Sequence, residues 1–523
     1  MIETTLPERL DRLTKHTAPA VFDGDRWFTW ADCHAQAEIV ARALYHRASI
    51  RAGDVVAIQL PNSWELIVLH AATARLGAVL LPLHMAYGTH EVRSLINQTA
   101  AKLLVIRDSH RQRDRSTQIL SLSATAGPLR HVWISGNTPD TPRSYAHLLR
   151  EAPCLPAAPR FTPLPHSPLM LLVSSGTTSQ HPKMCIHTHA SLLGNAAAVI
   201  ADSGFNATET IVSASPFSHA FGILSLHMAL LTGAAVGLLP AWDPATFLHV
   251  LRTCRATTAF AVPAQLRDLL RAICESGTAA PAELREIRTG GAAVAADLVS
   301  MLHAEVGAHI TVQWGMSELG AGTYTRSSDP PKAALSTIGR PITGASARIM
   351  RPDGNPAGLG EAGEFQFRSP FIFGGYLNDP QLTKAAFTDD GWFRTGDLAW
   401  ANPDGSFSYW GRADDLINRG GMKFTGAEIE QLLADIPDID QLAVMGRPDV
   451  RLGQRSCLVV SLRPGGTLTL HTVTNHLKDK DLATYKFPEE LVVLDSLPTT
   501  PTGKVSRARL RTMLQAASTP KLI

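Results

Sequence analysis

The 523-residue sequence has no apolar run long enough to cross a bilayer, which argues against a helical membrane span. It also lacks a charge imbalance. With 48 Lys and Arg against 46 Asp and Glu, the formal charge of +2 gives no broad basic footprint for nucleic acid or an anionic membrane. Its six cysteines, Cys33, Cys154, Cys185, Cys254, Cys274 and Cys457, are scattered. None forms a C-x-x-C pair or stands at metal-ligand spacing from a histidine, so neither a zinc site nor a disulfide framework is expected. There is no internal repeat, no low-complexity tract and no basic-then-apolar leader at Met1-Ile-Glu-Thr-Thr-Leu6. The expectation is a cytoplasmic protein with reduced thiols, no nucleic-acid partner and a small molecule as its partner. Its oligomeric state is left open.

What is present is enough chain for about three or four subdomain-sized units. From Asp54 onward short apolar runs (Val55-Val-Ala-Ile-Gln-Leu60, Val79-Leu-Leu-Pro-Leu83, Leu103-Leu-Val-Ile106) alternate with amphipathic segments such as 63–76. This rhythm predicts an α/β fold built from βαβ units on mostly parallel sheets. A proline-rich connector over 152–165 leads to a further strand, and 256–262 and 309–314 read as strands as well. The last hundred or so residues change character, with short strands at 442–445, 456–462 and 491–494 around amphipathic helices. They predict a small α+β domain with its own core, and the change falls near Gly411-Arg-Ala-Asp-Asp415.

The chemistry concentrates at Leu171-Leu-Val-Ser-Ser-Gly-Thr-Thr-Ser-Gln-His-Pro-Lys183, where an apolar strand opens into hydroxyls, a glycine and a lysine. Alone, such a loop is an ordinary turn. It can also cradle a polyphosphate, with Ser175, Gly176, Thr177 and Thr178 offering donors and Lys183 a charge. It is not a Walker loop, because no second glycine precedes Lys183 and Met184 stands where that motif needs Ser or Thr. A helix at 191–201 would place the cradle between strand and helix, where sheet ligands bind.

Five more clusters follow. Thr289-Gly-Gly-Ala-Ala293 is either a turn or a shelf on which a flat ring can lie. In Trp314-Gly-Met-Ser-Glu318, Glu318 is either a solvated helix start or a carboxylate for Mg²⁺, with Ser317 near a phosphate. Gly391-Trp-Phe-Arg-Thr-Gly-Asp397 offers Asp397 to a ribose diol. Ser408-Tyr-Trp-Gly-Arg-Ala-Asp-Asp415 brings Arg412, and Arg419-Gly-Gly-Met-Lys423 follows it. Leu497-Pro-Thr-Thr-Pro-Thr-Gly-Lys-Val-Ser-Arg507 carries Lys504.

In this order, the six clusters make the chain resemble the adenylate-forming superfamily of acyl- and aryl-CoA synthetases, peptide-synthetase adenylation domains and luciferase, over nearly its whole length. The resemblance is strongest to acid–CoA ligases. It implies that a carboxylate attacks the α-phosphate of ATP, that pyrophosphate leaves, and that a thiol captures the acyl adenylate. It also implies an N-terminal domain at 1–413 and a mobile C-terminal domain at 414–523, with Asp414 as hinge. Carried over by motif, Ser175, Gly176, Thr177, Thr178 and Lys183 hold the phosphates and Glu318 binds Mg²⁺. Gly291, Ala292 and Trp314 line the adenine slot, Ser317 meets the α-phosphate, and Asp397 and Arg412 meet the ribose. Lys504 bridges the carboxylate and the α-phosphate, which suits an ammonium facing negative charge that develops at phosphorus. His219 gates the passage between acid and thiol, and Gly420, Gly421 and Lys423 are candidates for the thiol tunnel.

Two departures stand out. Ser179 occupies a usual glycine position with one extra residue before Pro182-Lys183, and Gly426 replaces a usual proline. Neither removes a chemical group. His219 stands where amino-acid activators carry aspartate, and Ala220 where salicylate-type activators carry asparagine, so α-amino and ortho-hydroxy acids both lose support. A pocket drawn from His219, Ala220, Gly290 and Gly315 predicts an apolar aliphatic, alicyclic or aryl acid, with no fixed charge for a second carboxylate. Coenzyme A is the expected acceptor. The alternatives are a carrier-protein thiol and a nucleotide-binding protein without turnover.

Overall fold

The computed structural model describes residues 4–111, 113–123, 127–137, 141–174, 182–277, 279–292, 294, 296–419, 422–449, 451–480, 482–500 and 504–516. Two large sheets, with helices packed between and outside them, form most of the chain. In the nine-stranded sheet, Pro19–Asp23, Ala235–Leu238, Thr210–Ser213, Thr258–Phe260, Glu286–Gly290 and His309–Met316 run parallel. Antiparallel edge strands, Arg26–Thr29 on one side and Gly320–Tyr324 followed by Arg340–Pro341 on the other, close it. The six-stranded sheet orders Lys183–Thr188, Pro168–Ser174, Val79–Pro82, Val55–Gln59, Leu103–Arg107 and His131–Ser135. All its pairings are parallel except that of Lys183–Thr188 with Pro168–Ser174.

Helices Trp30–Arg47, Trp64–Arg75, His189–Ser203 and Ala220–Thr232 fill the space between the sheets and share one apolar core with the inner face of each. The outer faces carry separate cores under Pro244–Thr253, Pro263–Ser276 and Ala296–Val306 on one sheet, and under Thr89–Thr99 and Ser116–Ser123 on the other. Helix ends follow local chemistry. Ser63 and Thr188 accept the backbone N–H groups of Leu66 and Ser191, each such cap being worth about 1 kcal/mol. Gly204 ends the helix at φ +68°, a left-handed conformation glycine adopts without strain.

The chain then forms a four-stranded antiparallel sheet, Ser346–Met350, Gly363–Arg368, Phe393–Ala401 and Phe407–Arg412. A short 3₁₀ turn, Ala413–Asp415, leads into the last sheet. There Leu416–Arg419, Met422–Thr425, Ile439–Asp449, Gly453–Leu462 and Glu490–Val493 pack with helices Gly426–Leu433 and Leu470–Asp479 over their own core. The fold is therefore α/β with a large N-terminal domain and a smaller C-terminal one. One expectation is corrected. The cradle segment joins two paired antiparallel strands, Pro168–Ser174 and Lys183–Thr188, and not a strand and a helix. The β-forming stretch 183–188 is only six residues long and merges in sequence with the helix that follows it.

Candidate active site

The parallel strands of the nine-stranded sheet end together at Ser213, Phe260, Gly290 and Met316, the edge at which open α/β sheets bind ligands. Gly290 pairs with Gln313, and a Cβ there would stand 2.0 Å from the Gln313 carbonyl oxygen. Gly291 follows at φ +79°. One position needs glycine for close approach and the other for its left-handed backbone, so together they leave a flat shelf. The Lys504 side chain reaches over it, with Nζ 3.5 Å from the position a Gly291 Cβ would take. Val262 borders the same spot at 4.0 Å, and Ala292 lies on the exposed rim.

Asp397 and Arg412 face each other across Phe393–Ala401 and Phe407–Arg412, with Arg412 Nη1 donating to Asp397 Oδ1 at 2.9 Å. Trp314 Nε1 donates to Asp397 Oδ2 at 2.7 Å, so both carboxylate oxygens are engaged. The Trp314 ring is buried and packs edge-on to Phe365. Burial pushes the Asp397 carboxyl up, against the pull of Arg412 and Trp314. It also works against the Arg412 cation, but Asp397, Tyr409 and Glu318 together outweigh it and hold the guanidinium above its ordinary value. Lys504 remains open to solvent, yet crowding by the cleft walls lowers its pKa, with Asp397 opposing the shift and Arg412 adding to it.

A second cluster lies at the mouth of the hairpin. Lys183 pairs with Ser174 across the two strands, and its Nζ stands 5.4 Å from the centre of the Tyr376 ring. Glu318 is buried. Its Oε1 accepts from Ser174 Oγ at 3.2 Å and from the Tyr376 hydroxyl at 3.0 Å. A lysine, a hydroxyl and a carboxylate are thus gathered where the cradle begins and ends. Ser175, Gly176, Thr177 and Thr178, with Ser179, lie outside the described residues, as do Gly420 and Gly421 and the side chains of Asp414 and Lys423.

His219 occupies the N-cap position of helix Ala220–Thr232, which also begins with Ala220. Its ring centre is 5.2 Å from that of His84, and its buried Nε2 has no hydrogen-bond partner among the described residues. Burial, then His84 and Lys504, push its pKa down to about 3, so the imidazole is neutral. The turn before it is held by a residue that no motif marks. Buried Asn62 donates to the Ser215 carbonyl at 3.0 Å and accepts from Phe217 N–H at 2.8 Å.

Other supports escaped sequence reasoning because they join distant segments. His187, 1% exposed on Lys183–Thr188, places Nε2 2.6 Å from the Ser317 carbonyl oxygen and Nδ1 3.1 Å from the Ser191 hydroxyl. Nε2 therefore carries the proton, and the ring ties the hairpin strand to the turn bearing Ser317 and Glu318. Asn195 holds the next residues, donating to the Leu319 and Ala321 carbonyls at 3.2 and 2.8 Å and accepting from Ala321 N–H at 3.0 Å. A His187→Leu variant leaves the Ser317 carbonyl unpaired and frees the turn, so acid-dependent pyrophosphate release should fall about tenfold or more. Unchanged turnover at saturating ATP would remove His187 from this role.

The AMP-binding enzyme family model matches residues 10–377, and the model for the C-terminal domain of AMP-binding enzymes matches 428–504. The chain belongs to this family of adenylate-forming enzymes. It is 31% identical to the 2-hydroxy-7-methoxy-5-methyl-1-naphthoate–CoA ligase of Streptomyces carzinostaticus, over 94% of this chain and 90% of that one. It is also 31% identical to the salicyl-AMP ligase / salicyl-S-ArCP synthetase of Mycobacterium tuberculosis, over 95% and 87%. Among solved structures, ATP-bound MatB from Rhodopseudomonas palustris superposes with a TM-score of 0.86 at 27% identity, covering 99% of this chain and 100% of that one. No helix among the described residues is long and apolar enough to cross a membrane.

Proposed function

We propose that this enzyme is an AMP-forming acid–thiol ligase that activates an aryl carboxylic acid with ATP and passes the acyl group to coenzyme A. In the first half-reaction a carboxylate oxygen attacks the α-phosphorus, the bond to the β-phosphate breaks, and pyrophosphate leaves. In the second, a thiol that has lost its proton attacks the acyl carbonyl and AMP departs. The observation that carries this reading is the meeting of Lys504, from the C-terminal part of the chain, with the Gly290-Gly291 shelf and the Asp397–Arg412 pair at the strand ends.

Asp397 and Arg412 suit the ribose hydroxyls, and Gly291, Ala292 and Trp314 the adenine. Ser317 suits the α-phosphate, and Lys183 with Ser175, Gly176, Thr177 and Thr178 the outer phosphates. Glu318, a single buried carboxylate beside Lys183, fits Mg²⁺, which commonly takes one or two carboxylates plus nucleotide oxygens. Bound there, the ion would neutralise phosphate charge. Neutral His219 brings no positive charge to the acid, so Lys504 is left to face the carboxylate while His219 acts by its bulk as a gate. Gly290, Gly315 and Ala220 shape the acid pocket. Asp414, in the turn between the four-stranded sheet and the last one, is the hinge between a 1–413 domain and a 414–523 domain. Gly420, Gly421 and Lys423 border the thiol path. The setting is cytoplasmic.

The aryl choice rests on the aryl acids named for the relatives. A carrier-protein thiol is the second reading, favoured by the relative named as a salicyl-S-ArCP synthetase. Pyrophosphate release with ATP and Mg²⁺ across aliphatic, alicyclic, aryl and amino acids tests the proposal. Release with aryl acids that rises on adding coenzyme A is expected. Release indifferent to coenzyme A supports the carrier-protein reading, and none with any acid overturns acid activation.

A further inference from the structure

Beneath the shelf lies a buried polar pair that the activation chemistry does not use. Arg288 is 1% exposed and Gln313 6%. Arg288 Nε is 2.9 Å from Glu286 Oε1, an ion pair without hydrogen-bonding alignment, and neither Nε nor Nη1 of Arg288 has an acceptor among the described residues. Glu286 Oε1 instead accepts from the Thr311 hydroxyl at 2.7 Å. Among the described residues Gln313 Oε1 is likewise without a donor. A buried polar group left unpaired is costly, so two such side chains on one sheet face call for an explanation.

Their placement supplies one. Arg288 pairs with Thr311 and Gly290 with Gln313, so Arg288, Gly290 and Gln313 share a face. Phe260, paired with Arg288, and Tyr324, paired with Gln313, lie on that face too. The guanidinium carbon is 4.8 Å from the Tyr324 ring centre and 6.0 Å from that of Phe260. Helix Ala220–Thr232 covers this face, with the Phe221 ring 5.1 Å from Phe260. The pair therefore sits between the sheet and the helix headed by His219 and Ala220, below the glycine shelf. Gly290, one of the residues from which the sequence predicts an uncharged acid pocket, thus has a guanidinium two positions away on the same strand face.

We propose that Arg288 and Gln313 recognise a hydroxyl at the end of the acid remote from its carboxylate. This inference rests on the acid-activation reading. A hydroxyl satisfies both orphans at once, accepting from Arg288 and donating to Gln313 Oε1. Glu286 already balances the guanidinium, so a second carboxylate would bury a net negative charge, a costly arrangement. Two residues of strand, roughly 6.6 Å, separate Arg288 from Gly290, which places the hydroxyl across the ring from the carboxylate and not ortho to it.

The test compares kcat/KM for pyrophosphate release with benzoate, 4-hydroxybenzoate, 2-hydroxybenzoate and benzene-1,4-dicarboxylate, and with 2-naphthoate against 6-hydroxy-2-naphthoate. In at least one ring size the remote hydroxyl should raise kcat/KM about tenfold or more, because a site built for a hydroxyl rejects the acid lacking it. Arg288→Met and Gln313→Leu should each bring that ratio close to one. If Arg288→Met does not fold, the Gln313→Leu ratio decides. Equal use of hydroxylated and plain acids by the wild type, preference for the dicarboxylate or the ortho isomer, or a ratio preserved in the folded variants overturns the inference while acid activation stands. Release with no acid at all overturns both.

Discussion

Replacing Lys504 by alanine should lower acid-dependent pyrophosphate release by about 10²- to 10³-fold, the usual loss when one preorganised electrostatic donor is removed. The same variant should still convert a preformed acyl adenylate to thioester. The split follows from the position of the side chain. Lys504 Nζ hangs over the Gly291 shelf beside Asp397 and Arg412, but Arg412 is committed to Asp397 and His219 is neutral. Among these groups the ammonium is the cation left for the charge that develops at phosphorus during attack. Once the adenylate exists, that demand has passed. Structural damage should be slight, because the side chain is open to solvent and the loop is held by its backbone, Thr500 N–H donating to the Lys504 carbonyl at 2.6 Å. The lowered pKa of Lys504 gives a second readout. The active ammonium is present below that pKa, so the adenylation rate should fall as pH rises through it, earlier than for an ordinary lysine. A Lys504→Ala variant that adenylates at the wild-type rate would refute the assignment.

Much of this site is written in short stretches of sequence, because its glycines, hydroxyls and charges interrupt apolar runs. Gly290 and Gly291 are legible for that reason, and their backbone requirements, a close carbonyl and a positive φ, are what the paired glycines suggest. Asp397 and Arg412 also stand out in their own motifs. Their direct bond, and the donation from Trp314 across 83 positions, come only from the strand register. The supports are less legible still. His187 reaches Ser317 across 130 positions and Asn195 reaches Ala321 across 126, each as a lone polar residue on an otherwise apolar element. Such a residue looks like an ordinary core member until the fold supplies its partner. The strand after the cradle is hard to read for a related reason, since Lys183–Thr188 has no turn signal separating it from the helix that starts at His189. Arg288 shows the limit most clearly, because a charged residue in a strand reads as solvent-facing until helix Ala220–Thr232 is found to cover it.

Lowering the pH from 7.5 to 5.5 should destabilise the fold by about 5 kcal/mol through four histidines buried near the middle of the large domain. His70, His187, His189 and His227 are each at most 1% exposed. Burial depresses His70 to about 3 and His187 and His189 to about 4, and drives His227 well below its ordinary value. Their bonds explain why the neutral rings are kept. His70 and His227 share one Nε2–Nε2 hydrogen bond at 3.0 Å, His189 Nδ1 accepts from Leu6 N–H, and His187 donates to Ser317. Unfolded histidine takes up its proton near pH 6.5, so below that value the unfolded chain binds protons the folded chain refuses. Stability is therefore intact above about pH 7 and is lost as the pH falls towards 4, at about 1.4 kcal/mol per histidine per unit. Set against a typical total of about 5–15 kcal/mol, the loss should pull the urea midpoint down steeply between pH 6.5 and 5.5, with Glu8 softening the share of His189. A double variant, His70→Leu with His227→Leu, replaces one bonded pair by apolar groups and should take about 3 kcal/mol out of that loss, the share of two rings. A urea midpoint in the wild type that does not move between pH 7.5 and 5.5 would mean that these rings are protonated in the folded core, and that the core admits the water or counter-charge needed to keep them so.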